Sequence, residues 1–165
     1  MKTVALRFAN CYGPYSEHKP SIIPRFIKRA EEEKPLIIYG DGSQTRDFIH
    51  ADDVCQAIYL ALTATPQTKR TLNSQSQADD LYGGVFQIGT GIQTSINELA
   101  ELVKEIAENK LQIIYEAERK GEVKKNYSNI NKARTVLGFE PNIKLEEGLG
   151  KLWHSYFAKV KQEPL

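Results

Sequence analysis

The chain has 165 residues, 41% of them apolar, which suffices for one folding unit with a real core. Its 22 Lys and Arg against 21 Asp and Glu leave a formal charge of +1, removing the electrostatic basis for binding nucleic acid or an acidic membrane. No apolar run reaches the ~20 residues of a membrane helix, no signal-peptide core opens the chain, and Cys11 and Cys55 stand in unlike contexts that exclude a disulfide scaffold or zinc ribbon, so the chain reads as cytoplasmic.

Residues 3–10 read as a strand with apolar residues on both faces, the pattern of a buried parallel strand that needs neighbours. Tyr12-Gly13-Pro14 turns the chain. From Ser21, placed to cap, Ile23, Phe26, Ile27 and Ala30 recur at helical spacing; Pro24 sits in the first turn and Lys34-Pro35 ends the helix. Leu36–Tyr39 is a strand, residues 40–43 a turn, and residues 45–50 alternate as a second strand. Asp52 or Asp53 then caps a helix carrying Val54, Ala57, Ile58, Ala61 and Leu62 on one face. Residues 63–82, rich in Thr, Gln, Ser and Asp, lack periodicity and read as a mobile surface loop.

Val85–Ile88 is a short strand. Ser95 and Glu98 fit a capping box that opens a helix with Ile96, Leu99, Val103 and Ile106 as its buried stripe. A strand at 111–115, a polar loop at 119–127 and a short helix at 129–137 stopped by Gly138 follow. From about residue 145 a last helix turns Leu149, Leu152, Trp153, Tyr156, Phe157 and Val160 toward a core. The alternation of strands and helices makes this an α/β chain.

Several motifs invite chemistry. Gly89-Thr90-Gly91 follows a strand and precedes a helix, as a dinucleotide fingerprint must, but Thr94 replaces its third glycine and no acidic residue follows at the usual distance; a tight turn is the better reading. Tyr15 and Lys19 have Tyr-x-x-x-Lys spacing, yet Pro14 and Pro20 deny them the helical turn that would bring both to one face. His50, Asp52 and Asp53 suggest a metal, but capping accounts for the aspartates; His18 and His154 are isolated, and no nucleophile elbow is present. Arg46, after a glycine-rich turn, and Arg119, before Lys120-Gly121, are placed to grip a phosphate in bidentate fashion, the plainer alternative being ion pairs with Asp47 and Glu122.

Taken in order, Leu6-Arg7-Phe8-Ala9-Asn10-Cys11-Tyr12-Gly13-Pro14, Ile22-Ile23-Pro24-Arg25-Phe26, the run from Ile38 through Gly40-Asp41-Gly42 and Thr45-Arg46-Asp47-Phe48 to Val54, Phe86-Gln87-Ile88-Gly89-Thr90-Gly91, Arg119-Lys120-Gly121-Glu122 and Leu137-Gly138-Phe139-Glu140-Pro141 resemble the NAD-dependent epimerase/dehydratase family, the extended short-chain dehydrogenases acting on nucleotide sugars. The resemblance covers nearly the whole chain and implies the C-terminal part of an extended Rossmann-type enzyme, without the N-terminal dinucleotide-binding βαβ units. Residues 1–165 would then be a substrate-binding portion in which 1–14, 52–63 and 85–91 pack on or complete the absent NAD-binding domain.

Carried over residue by residue, the resemblance assigns Asn10 to the substrate diphosphate region and Ile22 and Ile23 to the nucleotide. It assigns Ile37 and Tyr39 to the uracil, Arg46 and Arg119 to the diphosphate, and Glu122 to the ribose. Lys120 stands where many members have Pro. The implied parent reaction is UDP-glucose/UDP-galactose 4-epimerisation through a 4-keto intermediate, with NAD as hydride carrier, in a homodimer. The glycine-rich NAD turn and the catalytic Tyr-x-x-x-Lys helix have no counterpart in this sequence, so no catalytic residue is assigned and the chain alone is expected to be inactive. The rival expectation is a binding or interaction module that reuses the fold without chemistry. The two part at Val4, Leu6 and Phe8, which a portion of a larger enzyme leaves uncovered and an evolved module covers or charges.

Overall fold

A computed structural model describes residues 3–64, 81–108 and 111–160 of the chain. The elements run β1 (Ala5–Phe8), β2 (Asn10–Tyr12), α1 (Ile22–Glu31), β3 (Leu36–Tyr39), β4 (Thr45–Arg46), β5 (Phe48–His50), α2 (Ala51–Thr63), β6 (Val85–Ile88), β7 (Thr94–Ser95), α3 (Ile96–Ile106), β8 (Ile113–Glu116) and α4 (Leu145–Val160). A π-helical turn, Ala133–Leu137, precedes α4 and closes on Gly138 at φ 71°. The chain is α/β, as the alternation implies.

The single strand expected over residues 3–10 is two. β1 pairs parallel with β6, and β2 pairs parallel with β5. The exchange happens at one peptide: the Ala9 N–H donates to the Ile88 carbonyl at 2.8 Å and the Asn10 N–H to the Asp47 carbonyl at 2.9 Å. β1 and β2 thus carry one run of chain from the β6 ladder to the β5 ladder. β1 is also not buried on both faces, because β6 is its one ladder partner among the described residues; Ala5, Arg7 and Phe8 are exposed. Residues 45–50 divide in the same way. β4 pairs antiparallel with β7, β5 pairs parallel with β2, and Asp47 stands at the break.

α1 buries Ile23, Phe26, Ile27 and Ala30. Ser21 is its N-cap residue but makes no side-chain cap bond, for the N3 position that would donate is Pro24, which has no N–H. At α2 the cap is His50 and not Asp52 or Asp53: β5 runs straight into the helix, His50 is the last extended residue, and its Nδ1 accepts the Asp52 N–H at 3.2 Å. Asp53 turns inward instead and accepts the N–H groups of Asn142 and Ile143 at 2.9 and 3.2 Å, tying α2 to the segment before α4. On the face expected to be apolar, Val54 and Ala57 are buried while Ile58 and Leu62 are exposed.

The capping box of α3 forms as written in the sequence: Ser95 Oγ accepts the Glu98 N–H at 3.1 Å and Glu98 Oε2 accepts the Ser95 N–H at 2.6 Å. α3 buries Ile96, Leu99 and Val103, and α4 buries Leu149, Leu152 and Tyr156; the Phe157 and Val160 side chains lie outside the description. Of the loop expected at 63–82, residues 65–80 lie outside the described residues, Thr63 closes α2 and Leu81 is buried. One core, with Phe26, Leu36, Leu99 and Leu149, lies among α1, β3, α3 and α4; a second, with Ile49, Ala57, Phe86 and Phe139, lies among β5, β6, α2 and the π-helical turn. No described helix is long and apolar enough to cross a membrane.

Candidate functional site

A cavity of about 210 Å³ opens beside the strand switch, walled by β2, the first turn of α1, the end of β3, β4 and the loop after β8. Seven of the eight residues chosen from sequence line it: Asn10, Ile22, Ile23, Tyr39, Arg46, Arg119 and Glu122. Ile37 does not. Its position is nonetheless informative, because in the parallel ladder to β8 the Leu36 and Gly40 N–H groups donate to Gln112 and Glu116 carbonyls at 2.8 and 2.9 Å. Alternation turns the peptide groups of Ile37 and Tyr39 to the opposite edge of β3, so Ile37 offers backbone and not side chain. The Tyr39 carbonyl already accepts from Gln44 Nε2 at 2.8 Å.

Asn10 is fixed by the switch itself, its side-chain Nδ2 donating to the Asp47 carbonyl at 3.2 Å. Arg46 is held from three sides: Nη1 donates to the Thr45 and Val123 carbonyls at 2.8 and 2.6 Å, and Nη2 to Glu122 Oε1 at 3.2 Å. Glu122 is therefore the partner of Arg46 and not of Arg119, and its other oxygen, Oε2, is buried with no hydrogen-bond partner. The loop that carries Arg119 and Glu122 is pinned to β4 as an irregular extra strand, since the Thr45 N–H donates to the Lys124 carbonyl and the Asn126 N–H to the Thr45 carbonyl.

Arg119 lies flat over Tyr39, its guanidinium carbon 3.7 Å from the ring centroid, and Arg25 stands 5.5 Å from the same centroid. That face of the Tyr39 ring is thus covered by a guanidinium. Arg25 was not singled out from sequence, although it sits three residues after Ile22 and so on the same helical face, which is the signal that finds it. Burial, followed by the positive charge of Arg119, pushes the Arg25 pKa down.

The glycine turn at 89–91 holds an anion, but it is the protein's own. The carboxylate of Asp47, 1% exposed, accepts the Thr90 N–H at 2.9 Å, Thr90 Oγ1 at 2.6 Å, the Gly91 N–H at 3.1 Å and the Ser128 N–H at 3.1 Å. A Cβ on Gly89 would overlap Asp47 Oδ2 and lie 2.7 Å from Ser128 Oγ. A dinucleotide phosphate has no room at that turn, and no step is assigned through NAD. Nor is Asp47 an ion-pair partner of Arg46.

Tyr15 is 85% exposed at φ 64°, outside any helix, and Lys19 Nζ donates to the Cys11 carbonyl at 3.4 Å. His18 and His154 are exposed, and both cysteines are free. Among the described residues no group of three His, Cys, Asp or Glu side chains is placed to hold a metal ion.

Ligands of open α/β sheets bind in crevices outside the carboxyl ends of the strands, and this cavity lies beyond the end of β3. A sequence model of the NAD dependent epimerase/dehydratase family matches residues 1–89, more than half of the chain, and the chain belongs to that family. It is 35% identical over 149 residues to a putative UDP-glucose 4-epimerase of Methanocaldococcus jannaschii, an alignment covering 89% of this chain and 43% of that protein. Among solved structures it is similar to a UDP-glucose 4-epimerase of Thermotoga maritima with UDP-glucose, at a TM-score of 0.83 and 34% identity over 98% of this chain and 48% of that one. It is also similar to a UDP-glucuronic acid 4-epimerase of Bacillus cereus in complex with UDP-glucuronic acid and NAD, at a TM-score of 0.78 and 30% identity over 95% of this chain and 45% of that one. The chain spans less than half the length of the curated relatives it matches.

Proposed function

We propose that this chain is the nucleotide-sugar-binding portion of an NAD-dependent UDP-sugar epimerase whose parent reaction interconverts UDP-glucose and UDP-galactose, the whole enzyme being a cytoplasmic homodimer. The observation that carries the reading is the meeting of Asn10, Tyr39, Arg46, Arg119 and Glu122 in one cavity from four separate stretches of sequence. A diphosphate needs several directed donors. Among the described residues Arg119 makes no side-chain hydrogen bond, Arg46 retains two N–H groups after its three internal bonds, and Asn10 lines the same cavity. The unpartnered Glu122 Oε2 suits a ribose diol, which supplies two O–H donors. Ile22 and Ile23 give an aliphatic wall, and the edge of β3 away from β8 offers the peptide groups of Ile37 and the Tyr39 N–H to the edge of a base, the Tyr39 carbonyl being bonded to Gln44.

In this reading the chain binds and orients the substrate and moves no proton. Of the three side chains expected to be uncovered, Phe8 is exposed while Val4 and Leu6 pack partly against the chain's own second core; Phe8, with the exposed Ile58, Tyr59 and Leu62 on α2, gives the apolar surface that would pack on a dinucleotide-binding half. Calorimetric titration with UDP-glucose tests the diphosphate assignment. Arg46→Ala and Arg119→Ala should each weaken binding by about 1.5–3 kcal/mol, the range for hydrogen bonds to charged groups. Unchanged affinity in both variants removes the assignment.

A further inference from the structure

We propose that Arg25 is a direct ligand of the nucleotide's phosphates, a third guanidinium in the clamp alongside Arg46 and Arg119; the inference rests on the nucleotide-sugar reading above. The cavity wall carries three guanidiniums and one carboxylate. That carboxylate, Glu122, is committed to Arg46. Arg25 and Arg119 have no ion pair and no side-chain hydrogen bond among the described residues, and each makes its contact with the same Tyr39 ring. Two like charges thus converge on one side chain, and neither guanidinium has a side-chain hydrogen-bond acceptor among the described residues.

A structural role leaves this arrangement unexplained. A side chain kept only to cover Tyr39 would be better as an aliphatic one, since a half-buried guanidinium loses hydration and, here, suffers repulsion from Arg119. An anion between the two removes both costs. Each phosphate of a nucleoside diphosphate ester carries about one negative charge, so the two uncommitted arginines match the charge of the diphosphate, with Arg46 adding its remaining donors. Arg25 also lies one helical turn from Ile22, so a nucleotide resting against Ile22 passes its guanidinium.

The test compares UDP, UMP and uridine as ligands of the wild-type chain, Arg25→Met and Arg25→Lys, with thermal unfolding of each variant as a check on folding. Arg25→Met should weaken UDP binding by about 10- to 100-fold, weaken UMP less and leave uridine unchanged, while Arg25→Lys recovers part of the UDP affinity. Equal loss for all three ligands would mean that Arg25 merely props Tyr39, and overturns the proposal. Wild-type UDP affinity in Arg25→Met, with affinity lost in Arg119→Met, also overturns it and leaves the nucleotide-sugar reading standing. Failure of the wild-type chain to bind UDP at all overturns both.

Discussion

Asp47 holds the site together without touching its cavity. Its carboxylate bridges the turn after β6 and the backbone at Ser128, while its carbonyl receives both the N–H and the side chain of Asn10. Arg46 and Phe48, its neighbours, line the cavity and inherit that rigidity. Removing the carboxylate strands the buried Ser128 N–H and takes the partner from the part-buried Thr90 and Gly91 donors, so Asp47→Ala should lower stability by about 1–3 kcal/mol in denaturant titration. A midpoint unchanged from wild type would show that the gap is closed by other means. Glu98 gives the corresponding pH signature. Hydrogen bonds from the Ser95 N–H and hydroxyl lower its pKa, so the stability it adds is fully present above the unfolded carboxylate pKa, about 4.3, and is lost as pH falls through the lower folded value. Glu98→Gln should therefore be less stable than wild type at neutral pH and converge with it in acid; a difference that persists at low pH would contradict the capping account.

Between elements, the contact of α4 with β2 is set by one glycine. A Cβ on Gly148 would overlap the Tyr12 hydroxyl, an atom that is buried and has no hydrogen-bond partner. Gly148→Ala gains about 1 kcal/mol of helix propensity but should be destabilising overall, because overpacking costs about 1–3 kcal/mol. Tyr12→Phe, which removes the unpartnered hydroxyl, should cost little alone and restore much of the loss in the double variant. Additive effects in that thermal-unfolding cycle would mean the two residues do not meet. What sequence could show at this scale follows from locality. The α3 capping box, β3, β6 and the apolar stripe of α1 depend on near neighbours and were legible. The break at Asp47 was not, because it arises from β4 and β5 pairing with β7 and β2 far away in the chain. The cap of α2 differs from the expected aspartates for a related reason: the strand before them runs to His50, which takes the N-cap position.

For the whole molecule, the family resemblance brought together a cavity that spacing alone left as two distant arginines. It did not disclose Arg25, whose role emerges only when α1 is set beside Tyr39, nor the pairing of Arg46 with Glu122. On the proposed reading the described residues grip the substrate, and their glycine turn is filled by Asp47, so the chain incubated with UDP-galactose and NAD should show no turnover. Conversion at an enzyme-like rate would refute that division of labour. The most direct measurement of the central claim is a crystal structure of the chain with UDP-glucose. The diphosphate should lie among Arg25, Arg46 and Arg119, with the ribose at Glu122 and the base beside Tyr39 at the edge of β3 away from β8. A nucleotide bound elsewhere, or a cavity left without one at saturating UDP-glucose, would contradict the account.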